Sequence, residues 1–294
     1  MRRDRCGGRG DAAAVGGVTA TEGGSALARV ERGLRAAGGR LWESHPALRE
    51  PLLVARDRYA RARIRLRTVG NAVRYAAPPE PYRLVRVDPA RIERRRQFAG
   101  AKFGRAARIE GGDWDRTDDR FEELDVYRAH EAHFVDGVPW EETAFYRRVV
   151  GRIEAGRTMW NCSTEAEFRR RCDGLDDLYE IIRTDGYRSQ AEILRENAAD
   201  PIDLGRRSTL PTERLKDEIA VHVARDGELL FADGRNRLSM AKILGLDAVP
   251  VRVLVRHEGW QTVRDAYSRG EAWTAAYEDH PDLATLTDGS GSEP

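Results

Sequence analysis

Residues Glu218 to His257 admit few arrangements, because their pattern passes from strand-like to helical and back within one short stretch. Ile219, Val221 and Val223 alternate with Ala220 and His222, as on a half-buried strand, and Asp226-Gly227 is a strong hairpin signal. Leu229 to Phe231 is then the return strand. Ala232-Asp233-Gly234 must turn the chain into a helix that carries Leu238, Ala241, Ile243 and Leu244 and stops at Gly245. Val249, Val251, Val253 and Val255 alternate as a further strand.

A helix that opens directly after a glycine turn presents unpaired backbone N–H groups and the positive end of its dipole, an arrangement suited to phosphate. Arg235 and Arg237 fall in its first turn, where cations oppose the dipole. Two readings follow. An anionic ligand resolves the conflict, or the arginines point to water or pair with Asp226, Glu228 or Asp233.

Gly234-Arg235-Asn236-Arg237 resembles the Gly-x-x-Arg element with which the ParB and sulfiredoxin superfamily holds nucleotide phosphates at a helix start. Partition proteins carry Gly-Glu-Arg-Arg there, sulfiredoxins Gly-Cys-His-Arg, and ADP-dependent serine kinases Asp-Gly-His-Thr-Arg; Gly234 and Arg237 are the shared anchors. Arg235 stands at the place of the sulfiredoxin cysteine, so sulfinic acid repair is not expected. A second element, Leu178 to Gln190, is similar to the family helix that ends in glycine and leads to Gln-Pro, with Gly186 and Gln190 matching and Ala191 replacing the proline. Gly186 also reads as an ordinary helix C-cap, which is compatible. The resemblance spans about Asp176 to His257, and residues 196–217 between its two elements look like an insertion able to carry substrate contacts.

What the resemblance implies is an α+β fold: a small mixed sheet with helices, plus an N-terminal and an inserted helical region, the latter about residues 121–175. Gly186, Ser189, Gln190, Asp233, Gly234, Arg235, Asn236 and Arg237 would line a nucleotide, ATP, ADP or CTP with Mg²⁺. Arg116 would be the counterpart of an arginine-bearing loop in partition proteins. The activity implied is hydrolysis of a nucleoside triphosphate or transfer of its phosphate to a small-molecule acceptor. After the core only a segment of helical pattern, Thr262 to Asp282, follows, so the DNA-binding domain of partition proteins is not expected.

Phosphoryl transfer needs charge neutralisation, alignment and a group that accepts a proton. Glu110, Asp113 and Asp115 lie in the glycine-rich loop from Arg105 to Arg116 and are candidate bases; a hydrogen-bonded turn with Trp114 in the core is the competing reading. His257, at the end of the last strand, is a candidate for protonating or orienting phosphate, or is a structural histidine. His130 and His133 share an i, i+3 spacing but lack a third ligand, so no metal set is assigned.

With 294 residues, a net charge of +1 and three cysteines, the chain has no global field for nucleic acid and no disulfide framework, which suits the cytoplasm. No segment is apolar and long enough to span a membrane. The expected organisation is a tail (residues 1–25), an arginine-rich helical segment (26–78), the nucleotide-binding domain (79–283) and a second tail (284–294). Helices are expected at Leu27 to Ala37 and Pro51 to Tyr75, a strand at Tyr82 to Val87, and a basic helix or turn at Ala90 to Phe98. Arg56, Arg58, Arg61, Arg63, Arg65 and Arg67 offer an alternative function: a non-catalytic nucleotide-sensing module that binds nucleic acid or protein through this face.

Overall fold

The structure, a computed structural model, describes residues 49–98, 104–196, 201–202 and 218–287, an α+β fold on one mixed six-stranded sheet. In chain order the elements are α1 (Arg49–Arg74), β1 (Leu84–Val87), β2 (Arg94–Arg95), β3 (Arg108–Glu110), α2 (Asp125–Phe134), α3 (Ala144–Glu154), α4 (Glu165–Asp185), α5 (Gln190–Arg195), β4 (Ile219–Val223), β5 (Leu229–Asp233), α6 (Arg235–Ile243), β6 (Val249–His257), α7 (Glu258–Ser268) and α8 (Pro281–Thr287). The tail at residues 1–25, the helix at 27–37 and nearly all of the insertion at 196–217 lie outside the described residues.

The sheet order is β1-β6-β4-β5-β2. β4 pairs antiparallel with β5 and parallel with β6, so the hairpin, α6 and β6 form one continuous unit around β4. The outer edge of β6 is shared: β1 runs antiparallel along Val249 to Arg252, and β3 runs parallel along Val255 to His257. The hairpin turn is the longer kind, with Gly227 at φ 93° and Asp226 at ordinary negative φ. A side chain at Gly227 would lie 2.8 Å from Trp260, so glycine is required by packing as well as by φ.

Two apolar clusters meet at α6. Val85, Val221, Phe231, Val251, Val253, Leu238 and Trp260 form the core between the sheet and α6, α7 and α8. Phe145, Phe168, Leu175 and Ile182 form the core of the helical block, which also takes Met240 from α6. Gly174 lets the backbone of Pro201 approach α4, and Ile202 is buried in the block, which ties the first part of the insertion to it. α7 and α8 are joined by a buried ionic cluster, in which Asp282 accepts from Arg256, Arg264 and the Trp260 indole.

Three expectations are revised. Of the helix or turn expected at Ala90 to Phe98, only a turn forms, at its start: Asp88 and Pro89 start a single 3-10 turn, and Arg94–Arg95 then joins the open edge of β5 as β2. The helical region expected at about residues 121–175 is not continuous: links separate α2, α3 and α4, and in the link before α4 Trp160 and Asn161 hold left-handed φ of 55° and 61° between paired Met159 and Cys162. Residues 284–287, expected to belong to a tail, instead complete α8, which runs to Thr287 and contains buried Leu283.

Candidate functional site

Gly234 starts α6 at φ 89°. A Cβ there would sit 2.8 Å from Ile219 Cα and 3.2 Å from the Glu218 carbonyl oxygen, so the turn packs backbone to backbone against the start of β4. Asp233 fixes the turn by accepting from the Gly234 N–H at 2.7 Å. Gly234, the N-cap, supplies no side-chain hydrogen bond to α6, and no residue of the first turn is acidic.

The Gly186 to Gln190 segment reaches the same place through Glu218. Gly186 ends α4 at φ 84°, and Gln190, 2% exposed, donates its backbone N–H to Glu218 Oε1. Glu218 is 1% exposed, and burial pushes its carboxyl up to about 7, against the pull of the Gln190 N–H, Arg237 and Arg252. Three side-chain atoms here are buried without a hydrogen bond: Glu218 Oε2, Gln190 Nε2 and Asn236 Oδ1. Arg237 is 4% exposed and close enough to Glu218 to lower its pKa. Arg235 lies over the Trp160 ring, 5.1 Å from its centroid, so the strained turn of the helical block forms a wall beside the start of α6. Arg95 and Arg148 add positive potential around Arg235.

Ser189 has a structural task. Its hydroxyl accepts from Glu192 N–H at 3.1 Å while Glu192 accepts from Ser189 N–H at 2.7 Å, a capping box that starts α5.

The carboxylates expected to act as bases gather elsewhere. Asp115 is buried and accepts from the Arg225 backbone and guanidinium; burial raises its pKa, but the Arg225 bonds outweigh it and hold it at about 2. Asp113 is exposed and shared by Arg225 and Arg116, at 2.7 and 3.3 Å. Glu110 pairs with Arg108 at 2.8 Å, and its carbonyl accepts from the Trp114 indole. His257 caps α7, with Nδ1 accepting from Gly259 N–H and Nε2 donating to the Gly112 carbonyl at 2.8 Å. Both ring nitrogens are thereby used.

This cluster and the Gly234 turn occupy opposite ends of the sheet. Ile219 lies beside Val251, and His257 is six residues further along β6, roughly 20 Å at about 3.3 Å per residue. Glu110, Asp113, Asp115, Arg116 and His257 therefore do not reach a ligand seated on Gly234. His130 and His133 are likewise occupied, His130 by the Val126 carbonyl and His133 by the Val138 carbonyl and Asp176.

Glu218 and Trp160 are the neighbours of the turn that sequence reasoning did not single out. Glu218 offers one signal, a carboxylate directly before the first residue of an apolar-rich strand; Trp160 offers another, an asparagine beside it in a short link between helices. Comparison with protein-family models, with curated proteins and with solved structures returned no match.

Proposed function

We propose that this chain is a ParB/sulfiredoxin-like nucleotide-binding protein that seats phosphates on the N-terminus of α6 and hydrolyses a nucleoside triphosphate or transfers its phosphate to a small acceptor. The observation that carries the reading is the convergence of the uncapped α6 terminus, Arg237 and buried polar atoms without partners on Glu218, Gln190 and Asn236. Backbone N–H groups of the first turn of α6 beyond Gly234, whose own N–H is held by Asp233, and the Arg237 guanidinium would bind phosphate oxygens, and the Gln190 amide is a donor in need of an acceptor. Mg²⁺ would arrive with the nucleotide and stay bound mainly to phosphate and water, as is usual for this ion. Among the described residues no three His, Cys, Asp or Glu side chains gather to cage it.

The chemical step is displacement at the terminal phosphorus. The oxygen of water or of an acceptor hydroxyl forms the new P–O bond, the bond to the leaving phosphate breaks, and the attacking group gives up its proton. Glu218, poised near neutrality, replaces the distant Asp113, Asp115 and Glu110 as the proton acceptor.

Thermal unfolding with ATP, ADP, CTP and GTP, each with and without Mg²⁺, tests the binding half, since a ligand of the native state raises its melting temperature. A rise with at least one nucleotide that Arg237→Ala abolishes is expected. No rise at millimolar nucleotide, or an equal rise in the variant, rules the site out. For turnover, phosphate release should persist in Asp113→Asn and disappear in Glu218→Gln while the nucleotide-induced rise remains.

A further inference from the structure

α1 carries a second feature that the nucleotide site does not use. It docks through Ala60 and Ile64, both buried, and through Arg67 and Asn71, which donate to the carbonyls of Ala106 and Ala107 at 2.8 Å. The opposite face is also apolar. Leu52, Ala55, Tyr59, Ala62, Leu66, Val69 and Val73 follow one another at alternating steps of three and four residues, the spacing of a coiled-coil seam. From Ala55 onward every member is exposed, with Leu66 at 75%, Val69 at 65% and Val73 at 87%. An amphipathic surface helix needs one apolar face, and the docked face already supplies it.

The flanking charges say what fits the seam. With Leu52, Tyr59, Leu66 and Val73 at the a positions and Ala55, Ala62 and Val69 at d, Arg56 and Arg63 fall at e and Arg58 and Arg65 at g. The only acid from Pro51 to Pro79 is Asp57, which is buried beneath the helix and paired with Arg61. A second copy of this helix would set arginine against arginine at those flanks. A bilayer would receive two alanines and no tryptophan or phenylalanine, whereas small residues alternating with Tyr59 and Leu66 provide holes for the knobs of a partner helix.

We infer that α1 is the docking helix for a protein partner that presents an amphipathic helix with apolar residues in heptad spacing and glutamate or aspartate at its e and g positions.

The test uses the full-length protein and a labelled four-heptad probe peptide with isoleucine at a, leucine at d and glutamate at every e and g. Its own like charges keep it from pairing with itself. Fluorescence anisotropy should show saturable binding, at least about tenfold weaker for a matched peptide with lysine at e and g. Leu66→Asp with Val73→Asp should abolish it without changing the circular dichroism, since both side chains face solvent. Arg58→Glu with Arg65→Glu, which leaves Arg56 and Arg63 against two new carboxylates, should erase the preference for the glutamate peptide over the lysine peptide. Failure to bind at tens of micromolar, indifference to the flanking charge, or binding that survives the Leu66 and Val73 changes would overturn the inference. So would a self-association, or an attachment to duplex DNA or to phosphatidylserine vesicles, that those changes remove when the glutamate peptide does not bind.

Discussion

At the scale of single residues, Glu218 links the two halves of the candidate site. Its buried carboxyl titrates near 7, and an ionised carboxylate beside a phosphate disfavours binding whereas the neutral acid does not. Nucleotide affinity should therefore fall as pH rises from about 6 to about 8, by up to about tenfold per unit of pH, the limit for one coupled proton. Glu218→Gln, which keeps an acceptor for the Gln190 N–H, should flatten the profile in titrations followed by fluorescence. A slope unchanged in the variant would assign the proton to another group. Gly234 makes a separate claim. Alanine there meets both a left-handed φ and a Cβ position 2.8 Å from Ile219 Cα, so Gly234→Ala should cost about 2–4 kcal/mol in urea unfolding. A cost under about 1 kcal/mol would mean that the turn is looser than the close approach requires.

At the scale of elements, the cluster around Arg225 holds the β4–β5 hairpin to the loop after β3. Arg225 is partly exposed, so its contribution is discounted for solvent, yet its loss leaves Asp115 buried without its main partner. Arg225→Ala should lower the midpoint of chemical unfolding while leaving the nucleotide-dependent rise in melting temperature intact. Loss of that rise in a folded variant would return the Asp113 and Asp115 loop to the ligand site. Legibility in the sequence divides along the same line. β4, β5, α6 and β6 are readable because alternation, Asp226-Gly227, Gly234 and Gly245 are local signals, whereas the nearness of Gln190 to Gly234 is carried by no local signal and is expected only from the family resemblance. Asp115 reads as an open candidate base because its partner, Arg225, is 110 residues away in the chain and leaves no local signal. β2 was hidden for a related reason: two arginines become a strand only because β5 leaves an edge open. Glu218 reads as a solvated residue until the burial of its surroundings is known.

At the scale of the whole molecule, buried titratable groups predict how stability varies with pH. His130 and His222 are fully buried; burial pushes His130 down to about 4 and His222 down to about 3. The unfolded chain takes up those protons near the ordinary histidine value of about 6.5 while the folded chain refuses them, so both groups lower stability as pH falls below about 6.5. Asp115 and Asp282 act in the same direction further down, because Arg225 holds the first and Arg256 with Arg264 the second below the usual carboxylate range despite burial. Glu218 acts oppositely: with its folded pKa raised, its contribution to stability is lost as pH rises from about 4.5 to about 7. Two histidines outweigh one glutamate between those limits, which places the maximum near neutrality. His222 isolates one part of this balance, because both its ring nitrogens are buried without hydrogen bonds between Phe98 and Trp114. His222→Leu removes a buried polar group and should stabilise the fold by about 1–3 kcal/mol at neutral pH. Its advantage over the parent should widen by roughly 2 kcal/mol between about pH 7 and about pH 5 in urea unfolding. An advantage that stays constant across that interval would mean that the folded protein accepts a proton at His222, and with it a path for solvent into the layer between Phe98 and Trp114.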